Sequence, residues 1–152
     1  MVYSVEEYLN SLPYYAKTIK IINRNLTTIP DLSSYTNIKV IHIYGNQLTE
    51  LPKMSDSVVE LHCSNNQLTS LKSLPPYLHT LRCSNNNLKE LPELPSSLVI
   101  LSCHSNQLVD LPKLPNNMKQ INCRLNRLKK LPYLPVENIG HYKGEGLKTP
   151  YL

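Results

Sequence analysis

The chain has 152 residues, no Phe, no Trp and a formal net charge of +5. That length suits one domain with a real core, and without those two aromatics the interior must be aliphatic. No apolar run is long enough to span a membrane, and Glu6 and Glu7 fall where a secretory signal would need apolar residues, so a reducing cytoplasm is the expected compartment.

Ser4 to Leu12 predicts a short helix. Ser4 and Glu7 form the S-x-x-E capping box. Val5, Tyr8, Leu9 and Leu12 fall on one face at i, i+3, i+4 and i+7, and Pro13 ends the helix. Residues 1–15 are therefore expected to form an N-terminal helical cap. Ala16, Ile19, Ile21, Leu26 and Ile29 then mark a degenerate first unit, with Arg24 at a position later held by Asn.

From Ile38 the chain repeats itself every 20 residues. Leu78–Leu91 reads LHTLRCSNNNLKEL, and Val58, Leu98 and Met118 open matching stretches. The pattern is L-x-x-L-x-C-x-x-N-x-L-x-x-L, usually followed by P-x-L-P-x-x. A fixed short period predicts a stack of coils in which each unit buries its apolar face against its neighbours. Residues 16–135 are expected to hold about six such units, and residues 136–152, where the pattern lapses, a C-terminal cap or tail. Ile139, Tyr142 and Leu147 are expected to fold over the open end.

Cys63, Cys83, Cys103 and Cys123 occupy one repeat position, where Ile21 and Ile43 stand earlier. An Ile-for-Cys exchange marks an inward apolar site. Parallel Cβ vectors on neighbouring strands suit a disulfide poorly, so the thiols are expected to be reduced. Asn46, Asn66, Asn86, Asn106 and Asn126 also share one position. They sit where the chain leaves a strand, and their amides are expected to serve their own and the adjacent coil's backbone. The prolines favour extended chain over helix, with Leu94, Leu114 and Leu134 turned inward.

The LPxLPxxLxxLxCxxNxL form resembles the short, bacterial-type leucine-rich repeats of effectors from enteric pathogens, and similar repeats of giant-virus proteins. The resemblance implies a leucine-rich repeat solenoid. Short parallel strands would line its concave face, its convex side would be extended or turned with few or no helices, and a helix would cap its N-terminus. It also implies recognition of a protein partner by that concave face, in the host cytoplasm if the protein is a viral or bacterial effector acting on host proteins. A catalytic ligase domain found in some relatives is not carried over, since every Cys here is a core position.

Strand alternation places the third, fifth and seventh residues of each unit outward. The candidate partner-binding residues are Lys20, His42, Tyr44, Glu60, His62, Arg82, His104 and Arg124. Tyr and Arg are common interface anchors. No catalytic residue, cofactor or metal is expected. His42 and His62 fall short of a zinc ligand set, and Glu60 flanks a different row. No nucleophile motif occurs either. A monomer is expected.

The second candidate partner is nucleic acid. Residues 1–100 hold eight Lys/Arg and eight Asp/Glu, whereas residues 101–152 hold eight and three. Lys119, Arg124, Arg127, Lys129, Lys130, Lys143 and Lys148 could make a basic end. They are expected to spread around the stack rather than line one groove.

Overall fold

A computed structural model describes residues 4–130 and 141–143. The first element is a helix, α1 (Val5–Asn10). Ser4 closes the capping box: its hydroxyl accepts from the Glu7 amide, and the Glu7 carboxylate accepts from the Ser4 amide. Val5 and Leu9 are buried, and Tyr8 and Leu12 pack partly against the same core. The helix thus closes the first coil with its apolar face.

Six three-residue strands follow: β1 (Thr18–Lys20), β2 (Val40–His42), β3 (Glu60–His62), β4 (Thr80–Arg82), β5 (Ile100–Ser102) and β6 (Gln120–Asn122). A seventh, β7 (His141–Lys143), lies inside the stretch where the repeat lapses. All pair in parallel, in chain order, in one sheet. Each middle residue points inward, and Ile19, Ile41, Leu61, Leu81, Leu101 and Ile121 are all buried. The Ile/Cys position is equally enclosed, and all four cysteines are free and buried.

Beyond each of β1 to β5 the ladder runs on for two more bonds. The Cys63 and Asn65 amides donate to the Arg82 and Ser84 carbonyls, and the next unit repeats this with Ser102 and His104. The chain then turns through a left-handed residue. Asn23, Gly45, Asn65, Asn85, Ser105 and Leu125 all have φ between 53° and 70°. Asn and Gly tolerate that region, whereas a Leu there is strained.

The asparagine ladder satisfies the turn. The Asn66 amide donates to the Ile43 and Cys63 carbonyls, and its Oδ1 accepts from the Leu48 amide. Asn86, Asn106 and Asn126 repeat the arrangement one coil on. Asn46 reaches back to the degenerate first unit, where its Oδ1 accepts from the Arg24 and Leu26 amides. Arg24 can therefore replace an asparagine because the rung is supplied by the next coil.

Among the described residues, the side opposite the strands is extended chain and turns, with a single parallel bridge between Leu32 and Met54. Leu94 and Leu114 turn back into the core, as the proline-spaced motif implies. Leu134, Ile139 and Leu147 lie outside the described residues. Tyr142 is described only as backbone in β7, which makes the segment expected to be a cap contribute a strand.

Candidate functional site

The strand register sets the outward side chains in rows. One runs Lys20, His42, His62, Arg82, Ser102 and Asn122, and in β7 the backbone of Lys143 is in register with Asn122. A second runs Thr18, Val40, Glu60, Thr80, Ile100 and Gln120. The residues two beyond each strand continue the alternation, with Tyr44, Ser64, Ser84, His104 and Arg124 in line.

Six of the eight candidates gather across β1 to β4. The His42 and His62 rings meet edge-to-face with centroids 4.5 Å apart, and Tyr44 makes a similar contact with His42 at 6.2 Å. Lys20 and Arg82 flank the pair in register. Glu60, which the row count assigns to a different line, joins the histidines: its Oε2 stands 3.7 Å from His62 Nε2. That is an ion-pair approach, too long for a hydrogen bond. His62 Nε2 is withdrawn from solvent and makes no hydrogen bond. The i, i+2 spacing of Glu60 and His62 on one strand was the signal that could have joined them.

The electrostatics follow from crowding. Burial, then the Lys20 charge, pushes His42 below the ordinary imidazole range, against a weaker upward pull from Glu60. Burial does the same to His62, reinforced by His42 and Arg82 and opposed by Glu60. His104 and Arg124 stand farther along the sheet. His104 Nδ1 lies 3.1 Å from Ser105 Oγ, and the Arg124 amide donates to Asn122 Oδ1 at 3.4 Å. Ser84 and Ser102 hydroxyls pair at 2.9 Å between the two groups.

One contact at the sheet edge escaped the sequence reading. The Tyr8 hydroxyl of α1 accepts a hydrogen bond from the Lys20 amide at 2.9 Å, and the Arg24 guanidinium lies 5.7 Å from the Tyr8 ring centroid. The cap helix thereby covers part of the open edge of β1 and holds the first residue of the basic row.

The thiols offer little chemistry. Burial pushes Cys63 up to about 12, and Cys83 and Cys103 well above the ordinary thiol value. No group of three or more His, Cys, Asp or Glu residues able to hold a metal occurs among the described residues. Away from the strands, an open groove of about 500 Å³ is lined by Ile29, Leu51, Pro52, Met54, Leu74 and neighbours, with the Lys72–Glu50 ion pair at 2.7 Å among them. In the basic end, Arg127, Lys129 and Lys130 are exposed beyond the turn, whereas Arg124 follows the strand side. Lys148 lies outside the described residues, as does the side chain of Lys143. No helix among the described residues is long and apolar enough to cross a membrane.

No family model and no curated protein matches the chain. Solved structures do. A Shigella effector leucine-rich repeat domain aligns with a TM-score of 0.75 and 31% identity, over 85% of this chain and 56% of that one. YopM from Yersinia enterocolitica WA-314 aligns with a TM-score of 0.78 and 33% identity, over 84% of this chain and 28% of that one. YopM from Yersinia pestis, described as a leucine-rich effector protein, gives 0.73 and 28%, over 84% and 42%. The chain thus spans between 28% and 56% of the lengths of these three proteins.

Proposed function

The chain is a leucine-rich repeat solenoid similar to those of bacterial effector proteins, and we propose that it is a non-enzymatic module whose strand face docks a protein partner. The observation that carries this is the division of labour between the two sides of each strand. Inward residues are consumed by the core and the asparagine ladder. Outward residues are set in register without a structural task of comparable size, and they include Lys20, His42, Tyr44, His62 and Arg82. Repeat stacks commonly recognise partners through such extended faces. Tyr and Arg are also the residue types that most often anchor an interface.

No chemical step is assigned to the protein, because its four thiols are enclosed and burial holds Cys63, Cys83 and Cys103 protonated. Its similarity to effectors supports action on host proteins in the host cytoplasm; we propose that it acts as a monomer. Affinity capture from host cytosol tests this with two variants beside the wild type. His62→Glu with Arg82→Glu should lose the captured partner while keeping the melting temperature within a few degrees. Lys113→Glu, on exposed chain opposite the strands, should keep it. Capture retained by the first variant and lost by the second would move the site to the other side.

A further inference from the structure

We infer that the row Lys20, His42, His62 and Arg82 is a docking track for an acidic segment of a protein partner, and that docking loads protons onto His42 and His62, so the complex tightens as pH falls. This rests on the proposed use of the strand face and names the chemistry that the face selects.

Charge complementarity is the first support. Among the described residues of the three outward rows, Glu60 is the single carboxylate, while Lys20, Arg82 and Arg124 carry fixed positive charge. Neighbouring strands stand about 4.8 Å apart, so four consecutive strands offer a continuous line of cationic or protonatable groups. Carboxylates on flexible Asp or Glu side chains can meet that spacing.

The second support is the state of the histidine pair. The ring centroids stand 4.5 Å apart, and His62 Nε2 is enclosed without a hydrogen-bond acceptor. The groups facing the pair are Lys20 from β1, Tyr44 beyond β2, Glu60 of β3 and Arg82 of β4. Two of them are fixed cations, and the two rings oppose each other's protonation. Glu60 alone compensates, and its carboxylate stays 3.7 Å away. Both rings are therefore neutral near pH 7 in the free protein. A partner carboxylate laid over the row offsets the Lys20 and Arg82 charges and accepts from the His42 ring, His62 Nε2 being enclosed. Both effects favour the imidazolium. The complex then binds more protons than its separate parts, and affinity must rise as pH falls from about 7 toward the lowered values of the free rings.

The test uses the full chain and a fluorescein-labelled oligoglutamate peptide as probe, followed by fluorescence anisotropy at constant ionic strength. Wild type should bind about tenfold more tightly at about pH 5.5 than at about pH 7.5, since one unit of pKa rise at either histidine contributes up to tenfold. His42→Gln with His62→Gln should bind as the wild type does at the higher pH and lose the increase. His104→Gln should keep it. The probe's own titration is common to all variants and cancels in the comparison. Lys20→Glu with Arg82→Glu should abolish binding at both values. If that variant abolishes binding but wild-type affinity is the same at both pH values, the strand face stands and the proton linkage is wrong. If the probe survives that variant and is lost with Lys129→Glu and Lys130→Glu, the strand-face reading itself fails. No measurable binding of the probe at either pH would overturn the acidic-segment inference while leaving the strand face open to another partner.

Discussion

Replacing Asn86 by Ala removes one rung of the ladder, and the structure sets how much that should cost. The Asn86 amide donates to the carbonyls of Cys63, Cys83 and Ser84, and its Oδ1 accepts from the Leu68 amide. The cysteine carbonyls are not orphaned by the change. Cys63 O still accepts from Asn66, and Cys83 O from Asn106. The Leu68 amide loses its acceptor while buried, which costs about 1–3 kcal/mol. Adding the lost net bonds and the small cavity gives roughly 2–4 kcal/mol for the single variant. The shared carbonyls make a sharper statement. Removing Asn66 and Asn86 together leaves Cys63 O with neither donor, so the pair should cost about 1 kcal/mol more than the sum of the singles. Asn66 and Asn106 share no carbonyl, and their effects should add to within about 0.5 kcal/mol. Urea unfolding of the five variants and the wild type measures both cycles. Equal additivity in the two pairs would refute the account of the ladder as a chain of shared acceptors.

The four thiols should react with an aromatic disulfide reagent only slowly in the native protein, and all at once in denaturant, since only thiolates attack and burial suppresses them. A fast-reacting thiol would contradict their placement. His42 and His62 titrate below their unfolded value of about 6.5. The unfolded chain thus takes up their protons first, so their contribution to stability is full above about pH 6.5 and is lost as pH falls from there toward the lowered native values. Urea midpoints at about pH 7.5 and 5.5 should fall less in His42→Gln with His62→Gln than in wild type. An undiminished fall would show that other groups carry it. Leu125 has φ 53° and is exposed, where other units place Asn, Gly or Ser. Leu125→Asn should raise stability by about 0.5–1 kcal/mol in the same assay, and a loss would mean the leucine packs better than its exposure implies.

Most of the scaffold could be read from the letters because its period is rigid. A 20-residue beat carries the register, so one strand assignment places all the regular units and their outward rows. The Cys/Ile exchange and the Asn column were legible for the same reason: one position, one environment. What escaped lies where the beat stops or where side chains cross rows. His141–Lys143 pairs in the sheet 21 residues after Gln120–Asn122, without the leucine pattern or an asparagine. The Leu32–Met54 bridge depends on an irregular turn that no repeat unit predicts. Glu60 reaches His62, and Tyr8 bonds to Lys20, through rotamers and the placement of α1, neither of which spacing determines. The basic character of the row was visible, whereas the depressed titration of its histidines needed the distances.

The claim on which the rest depends is that the partner sits on the strands. Place a photo-crosslinking amino acid at position 62 in one variant and at position 113 in another, then irradiate each with the captured partner. The account predicts an adduct to the partner from position 62 and none from position 113. An adduct from position 113 alone would contradict it.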